Sequence, residues 1–199
     1  GGQTQLVLHI GFGAGEGGAV VNAEQFGLVA CDHGASQPVG PGQGNDIGEV
    51  VFALGVGVPD ARQQIRDEQG IPQDALVLGF IGRLVRDKGI IELATAWETL
   101  RARYPEAHLL IVGPFEERDP VPQQTRSLLE EDPRVHMLGW QSETAPFYRA
   151  MDLVTLPSYR EGFPNVPLEA AAMELPVIST LVPGCVDAGD DGTTGALVP

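Results

Sequence analysis

The chain has 199 residues, a hydrophobic fraction of 43% and a formal net charge of −15 at pH 7. This length can bury a sizeable core, and the composition is that of a globular protein and not of a disordered one. The negative charge argues against nucleic acid or an anionic membrane as a direct partner. No apolar run approaches the ~18 residues needed to cross a bilayer, so we expect no direct membrane insertion. Two distant cysteines, Cys31 and Cys185, offer no disulfide framework and favour a reducing, cytoplasmic location.

Residues 1–60 differ from the rest of the chain, since they are rich in glycine and contain no lysine or arginine. Two short apolar runs, Gln5 to Ile10 and Phe26 to Cys31, predict strands. Two explanations stay open: a shifted reading frame or gene fragment in place of a linker and acceptor domain, and a genuine glycine-rich extension. We therefore predict an N-terminal segment of unclear structure over 1–60 and one domain over 61–199.

From residue 61 onward, strand and helix patterns alternate along the chain. The predicted order is strand 76–81, helix 88–104 capped by Asp87, strand 108–112, helix 122–131, strand 135–138, helix 143–150, strand 153–156, helix 166–173 and strand 176–179. Residues 194–199 indicate a further strand, and we expect the domain to be truncated at its C-terminus. Strands that alternate with helices through short loops predict an α/β fold with a doubly wound parallel sheet. Ligands of such sheets bind at the carboxyl ends of the strands.

The first candidate cluster runs from Gly79 to Gly89 and carries Arg83 and Lys88. Arg83 follows a predicted strand, and Lys88, the only lysine of the chain, falls in the first turn of the next predicted helix. A cation there opposes the helix dipole by about 0.3–1 kcal/mol, but a bound anion makes it favourable. The pattern therefore predicts a diphosphate site. The alternative of two surface cations near Asp87 stays open.

The second candidate cluster, from Pro157 to Glu169, contains two glutamates separated by seven residues. Glu161 falls in a glycine- and proline-rich loop after a strand, and Glu169 falls in the first turn of a helix capped near Asn165. A carboxylate only accepts hydrogen bonds, as recognition of sugar or ribose hydroxyls requires. Backbone N–H groups around Gly162 to Val166 would point at whatever ligand occupies the strand ends. Taken alone, Glu161 could be a solvated loop acid and Glu169 a helix-stabilising acid. Both clusters, however, fall at one edge of one sheet.

Together these segments resemble glycosyltransferase family 4, whose members have the GT-B fold. The similarity covers roughly residues 61–199. It rests on an ordered set of motifs at Gly82–Gly89, Leu110–Pro114, Asp152, Pro157-Ser158, Glu161–Asn165, Glu169, Leu175–Thr180 and Gly192–Gly195. The resemblance implies that this chain is the Rossmann-like, donor-binding half of a retaining glycosyltransferase.

The resemblance also implies a role for each candidate residue. Arg83 and Lys88 would bind the diphosphate of a nucleotide-sugar donor. Hydroxyls of the transferred sugar would be held by Glu161, and Glu169 would hold the ribose. The loop that carries Gly162, Phe163 and Asn165 would add backbone contacts to the sugar.

In the mechanism that the resemblance implies, Arg83 and Lys88 stabilise the departing nucleoside diphosphate while Glu161 fixes the sugar for attack on the same face. These three residues are the catalytic candidates. No cofactor and no metal are expected, because the two cations can supply the charge and the chain has no Asp-x-Asp motif. The segment His136–Trp140 would border the nucleobase.

The resemblance extends to the partners of the complete enzyme. We expect the donor to be a UDP-hexose or UDP-N-acetylhexosamine and the acceptor to be a glycan or a lipid-linked glycan of polysaccharide biosynthesis. A missing N-terminal domain would hold that acceptor, since about 60 residues are too few for a full Rossmann-like unit. The complete enzyme is expected in the cytoplasm, peripheral at the inner face of the membrane.

Other interpretations remain as alternatives. The first is a module that binds a nucleotide sugar without transferring it. A related nucleotide-sugar epimerase is disfavoured by the spacing of Glu161 and Glu169, and a flavodoxin-like regulatory domain is disfavoured by cations at the strand ends. The pattern Gly13–Gly18 is a weak dinucleotide fingerprint. Residues Cys31-Asp32-His33, taken with His9, match no known metal-ligand spacing.

Overall fold

The computed structural model describes residues 7–9, 20–22 and 61–199 of the chain. The first two ranges form an antiparallel pair of strands, β1 (Val7–His9) and β2 (Val20–Asn22). β1 lies within the strand predicted between Gln5 and Ile10, whereas β2 is not predicted by the sequence.

Several sequence predictions for the N-terminal segment lie outside the described residues. They are the strand Phe26–Cys31, the fingerprint Gly13–Gly18 and the triplet Cys31-Asp32-His33. The predicted domain boundary at residue 60 stays a prediction.

Residues 61–199 fold into alternating helices and strands. The elements are α1 (Ala61–Gln69), β3 (Val77–Ile81), α2 (Ile90–Arg103), β4 (His108–Val112), α3 (Gln123–Glu131), β5 (Val135–Met137), α4 (Ala145–Ala150), β6 (Leu153–Leu156), α5 (Asn165–Ala172), β7 (Val177–Thr180), α6 (Pro183–Ala188) and β8 (Gly195–Val198). A 3-10 turn, Arg86–Lys88, lies between β3 and α2. Every element predicted from the sequence after residue 61 is present, and β8 confirms the strand expected within 194–199.

The six strands β3 to β8 form one parallel sheet in the order β5-β4-β3-β6-β7-β8. The chain runs outward from β3 through β4 to β5 and then returns to place β6 beside β3. This reversal confirms the predicted doubly wound sheet and puts its topological switch point between β3 and β6. In such sheets the ligand site lies outside the carboxyl ends of the strands at that point.

The sheet is covered on both faces, as parallel sheets require. Alternate residues of β3 and β4 enter two different cores. Leu78, Phe80 and Leu109 pack with α2 on one face, including the buried Trp97. Their neighbours along the strands pack on the other face against α1, α4 and α5. Because β3 is buried along its whole length, its loop is anchored firmly at the sheet edge.

Two helices, α1 and α6, were not predicted from the sequence. The buried residues of α1 are Ala61, Ile65 and Arg66. An arginine therefore occupies a buried position at which an amphipathic helix usually has an apolar side chain. Arg66 is fully buried because carbonyls of other segments and Asp152 satisfy its guanidinium. α6 has only six residues and begins with proline and glycine.

One local prediction is wrong. The sequence predicts that Asp87 caps a helix beginning at Lys88, but Arg86–Lys88 form a 3-10 turn and α2 begins at Ile90. Gly89 separates the two with a left-handed φ of 69°. A Cβ atom on Gly89 would collide with the Pro157 carbonyl oxygen, so only glycine allows the backbones after β3 and β6 to touch here. Lys88 therefore precedes the helix and does not lie in its first turn.

Candidate functional site

The loops after β3 and β6 meet at the switch point through an ion pair. Lys88 Nζ lies 2.5 Å from Glu161 Oε1, across 73 residues of sequence. The side chain of Glu161 is 9% exposed and that of Lys88 is 20% exposed. The backbones are joined as well, since the Tyr159 N–H donates to the Asp87 carbonyl at 3.0 Å. The structure thus brings the predicted cation and the predicted carboxylate into contact.

Arg83 lies at the same edge, directly after β3, as the sequence predicts. Its side chain is 59% exposed, and its Nη1 donates to Glu116 Oε2 at 2.9 Å. Glu116 belongs to the loop after β4. That loop is tied to the loop after β3, because the Leu84 N–H donates to the Pro114 carbonyl at 2.8 Å. Arg83 is therefore presented to solvent beside the switch point, with a carboxylate partner that the sequence did not single out.

Glu169 lies on α5, but not where the sequence predicts. α5 begins at Asn165 without a side-chain cap, and Glu169 is its fifth residue, beyond the first turn. The dipole of a helix acts mainly within the first turn, so the alternative role of Glu169 as a helix-stabilising acid loses its basis. Its Oε2 accepts a hydrogen bond of 2.8 Å from the Tyr148 hydroxyl. Burial and the Glu169 carboxylate raise the pKa of Tyr148, which therefore stays a donor at neutral pH.

The other predicted binding residues lie between Glu161 and Glu169. Gly162, Phe163 and Asn165 are all exposed at the strand-end edge. Their exposure leaves them accessible to a ligand at the strand ends. The structure thus places the loop as predicted, while its contacts with a donor stay a prediction.

The segment His136–Trp140 is divided between strand and edge. His136 lies inside β5, opposite Leu110, and its Nε2 lies 2.9 Å from His108 Nδ1. Burial, together with the charge of His108, lowers the pKa of His136 to about 4. This position agrees with the strand predicted over 135–138. Trp140 follows the strand and is highly exposed at the edge.

Three residues near the site were missed by the sequence analysis. Glu116 pairs with Arg83, and its signal was its place just after the Gly113-Pro114 motif. The Tyr148 hydroxyl donates a hydrogen bond to Glu169, and nothing in the sequence distinguishes this tyrosine from an ordinary core aromatic residue. Cys185 of α6 is fully buried, and burial and the Glu161 carboxylate raise the pKa of its thiol.

Two further features concern the described residues. A cleft of about 360 Å³ is lined by the loop after β4 and by α3, and it includes Glu116 but neither Lys88 nor Glu161. We therefore place the site by the switch point and its charges and not by this cleft.

Across 61–199 and the two short strands, no group of three or more His, Cys, Asp and Glu is placed to hold a metal ion. Nor does any helix in these ranges have the length and apolarity to cross a membrane.

The parallel α/β sheet defines the class of this chain as a Rossmann-like domain, and the paired charges at the switch point mark a candidate site for a polar ligand at the strand ends. The family model described as "Glycosyl transferases group 1" matches residues 75–199. The chain belongs to this family.

The similarity extends to individual relatives. The chain is 36% identical over 125 residues to the capsular polysaccharide biosynthesis glycosyltransferase CapM of Staphylococcus aureus. The aligned residues make up 63% of this chain and 33% of CapM. The chain thus spans about a third of the length of that curated relative.

Solved structures show the same fold. Anabaena Alr3699/HepE in complex with UDP-glucose matches 78% of this chain and 42% of its own, with 26% identity and a TM-score of 0.62. The C-terminal domain of LpcC, a glycosyl transferase group 1 family protein from Francisella tularensis, matches 78% of this chain and 80% of its own, with 25% identity and a TM-score of 0.61. The expected Rossmann-like half of a GT-B glycosyltransferase is confirmed as the fold.

Proposed function

We propose that this chain is the donor-binding part of a retaining glycosyltransferase that uses a UDP-hexose or UDP-N-acetylhexosamine. The observation that carries this proposal is the Lys88–Glu161 pair, because a cation suited to a phosphate and a carboxylate suited to sugar hydroxyls are in contact at the switch point. Family membership supports transfer of a sugar from a nucleotide donor. The UDP-glucose complex of HepE supports a UDP-linked donor.

The diphosphate binds between Lys88 and Arg83 in this proposal. Lys88 is mostly shielded from solvent, so its attraction for a phosphate oxygen is less screened than that of an exposed lysine. Arg83 is exposed and can offer two parallel N–H groups to the second phosphate. Both cations then stabilise the negative charge that develops on the leaving nucleoside diphosphate.

Glu161 takes the sugar and Glu169 takes the ribose. When a phosphate replaces Glu161 as the partner of Lys88, the Glu161 carboxylate becomes free to accept hydrogen bonds from sugar hydroxyls. The exposed loop of Gly162, Phe163 and Asn165 lies between the two carboxylates and adds backbone contacts to the sugar. Trp140 offers an exposed aromatic surface to the nucleobase.

No metal takes part in this proposal, because Arg83 and Lys88 supply the positive charge that a diphosphate needs. The acceptor, a glycan or lipid-linked glycan, is held by a domain outside this chain, and the transfer occurs on the same face of the sugar as the departure of the diphosphate. The relationship to CapM supports polysaccharide biosynthesis as the setting. The complete enzyme then works in the cytoplasm, at the inner face of the membrane.

A second candidate is a nucleotide-sugar-binding module that transfers nothing. It is compatible with the Lys88–Glu161 pair, which accounts for binding of a donor without requiring its transfer. Both candidates predict the same donor site. They differ in whether the complete protein turns over a UDP-sugar when an acceptor is supplied.

Calorimetric titration of the 199-residue chain with UDP, UDP-N-acetylglucosamine and GDP tests the donor site. We expect saturable UDP binding that Lys88→Ala weakens by about 10- to 100-fold, since a charged hydrogen-bonded partner is lost. Glu169→Ala weakens it by a similar factor, and chelation with EDTA leaves it unchanged.

The matched control is Arg103→Ala, which removes an exposed cation at the far end of α2. This variant should bind UDP like the wild-type chain. A folded wild-type chain that binds no nucleotide, or a Lys88→Ala variant with undiminished affinity, contradicts the proposed site.

A further inference from the structure

Tyr148 combines full burial with a single polar contact to the site. Its side chain belongs to the core cluster that also contains Ala170 and Met173, next to α5. Its hydroxyl donates to Glu169 Oε2 at 2.8 Å, across 21 residues of sequence. A buried hydroxyl needs a hydrogen-bond partner, and this one has found the carboxylate that the proposed function assigns to the ribose.

The contact restricts what the Glu169 carboxylate can do. A carboxylate has two oxygens with about four acceptor positions, and Tyr148 occupies one of them on Oε2. Because the ring of Tyr148 is locked in the core, its hydroxyl fixes the rotation of the carboxylate about its terminal bond. Oε1 then remains for a ligand in a defined orientation, and less rotational freedom is lost when that ligand binds.

We propose that Tyr148 is a positioning residue for the ribose, acting by holding Glu169 so that its carboxylate is oriented toward the ribose hydroxyls. This inference rests on the proposed function, since it needs a nucleotide bound at Glu169. It adds the residue that determines how strongly the site prefers a ribose over a deoxygenated sugar.

The test compares UDP with 2′,3′-dideoxy-UDP on the 199-residue chain and on Tyr148→Phe by calorimetry. The wild-type chain is expected to prefer UDP by about 10-fold or more, because each ribose hydroxyl donates to a charged acceptor. Tyr148→Phe lowers this preference by about 3- to 10-fold, the usual contribution of one hydrogen bond. The loss falls on UDP, while the affinity for 2′,3′-dideoxy-UDP stays the same. A merely structural role would weaken both ligands equally.

The matched control is Tyr159→Phe. The Tyr159 hydroxyl also donates to a glutamate, Glu92 Oε1, at 2.6 Å, but this tyrosine is exposed and its partner lies on α2. The substitution removes the same kind of hydrogen bond. It should leave the preference for UDP over the dideoxy analogue at the wild-type value.

The outcomes separate the two proposals. If UDP binds and Glu169→Ala weakens it, but Tyr148→Phe keeps the full preference for UDP, the positioning role is overturned and the donor site stands. If the folded wild-type chain binds no UDP, both proposals fall.

A measurement on the wild-type chain covers the case in which Tyr148→Phe does not fold. With ¹³Cζ-labelled tyrosine, the Tyr148 signal can be assigned by replacing the other two tyrosines. It should shift when UDP binds and shift less with the dideoxy analogue. Equal shifts with both ligands overturn the proposal.

Discussion

At the residue scale, the most informative contact is the one between Lys88 and Glu161. The two side chains are largely shielded from solvent and lie 2.5 Å apart, so each neutralises the other. In the proposed donor site, an incoming phosphate has to compete with the Glu161 carboxylate for Lys88. The ion pair therefore opposes binding of a diphosphate alone. A complete nucleotide sugar also offers hydroxyls, whose hydrogen bonds to Glu161 compensate this carboxylate for the loss of Lys88.

This competition predicts an unusual gain in affinity. Glu161→Gln keeps the size of the side chain but removes its charge, which leaves Lys88 as an uncompensated cation. We expect UDP to bind this variant about 3- to 10-fold more tightly than it binds the wild-type chain. A UDP-sugar should gain less or lose affinity, because the amide replaces its charged hydroxyl acceptor. Calorimetry with both ligands measures the two changes.

Glu116→Gln is the matched control for this prediction. It removes the carboxylate partner of Arg83, whose side chain is 59% exposed and therefore well screened by solvent. The change in UDP affinity should stay within about 2-fold, as for other exposed ion pairs. Unchanged or weaker UDP binding by Glu161→Gln would show that the pair does not compete with the ligand.

At the element scale, the connection between β3 and α2 decides where Lys88 lies. Gly89 takes a left-handed conformation between the 3-10 turn and α2, and it touches the Pro157 carbonyl after β6. The helix therefore begins two residues later than the sequence predicts. This delay places Lys88 before the helix, in contact with the loop that carries Glu161.

Two glycine substitutions distinguish backbone strain at a positive φ from a steric collision with the Pro157 carbonyl. Gly70 has a φ of 67°, close to the 69° of Gly89, but a Cβ atom there meets nothing within 4 Å. Gly70→Ala should cost about 1 kcal/mol from backbone strain alone. Gly89→Ala adds the collision with the Pro157 carbonyl and should cost about 3 kcal/mol, together with a loss of UDP affinity. Urea unfolding and calorimetry measure the two effects, and equal costs at both positions would refute the contact argument.

At the scale of the whole molecule, the two ends of the strands in the sheet carry different kinds of interaction. The carboxyl ends of the strands carry Lys88 and Glu161, whereas the amino ends are joined by a network around Arg66. This guanidinium donates to Asp152 and to the carbonyls of four residues, Pro72, Gln73, Ala75 and Ala150. It links α1 to the segments before β3 and β6, on the side of the sheet away from the site.

The separation of the two edges predicts a stability effect without a binding effect. Arg66→Met removes the donor of several buried carbonyls and leaves Asp152 with Arg62 as its remaining arginine partner. It should lower the free energy of unfolding by about 3–5 kcal/mol. Arg62→Met is the control, because Arg62 also pairs with Asp152 but is 40% exposed, and it should cost about 1 kcal/mol or less. Urea unfolding measures both costs. The UDP affinity of folded Arg66→Met should equal that of the wild-type chain, and a large loss would mean that the two edges are coupled.

How well the sequence predicts a feature of the structure depends on how far apart along the chain the interacting residues lie. The alternation of strands and helices could be predicted because each buried strand and amphipathic helix shows its pattern within a few neighbouring residues. α1 was not predicted because it buries an arginine whose partners lie up to 86 residues away, and no local pattern indicates such a contact. α6 was not predicted because it has six residues and begins with proline and glycine. Arg83, Lys88 and Glu161 could be proposed because strand ends in a parallel sheet share one edge.

The amino-acid sequence by itself determined the alternation of strands and helices, the parallel α/β class and the family, because all three follow from local patterns and motifs. The tertiary structure alone decided which groups touch: Lys88 with Glu161, Arg83 with Glu116, and Tyr148 with Glu169. These partners are 73, 33 and 21 residues apart along the chain. The first two pairs meet because the sheet brings the loops after separate strands together, and the third meets because α4 and α5 pack on the same face of the sheet. The physical origin of all three contacts is the burial of both sheet faces and not the sequence around any one residue.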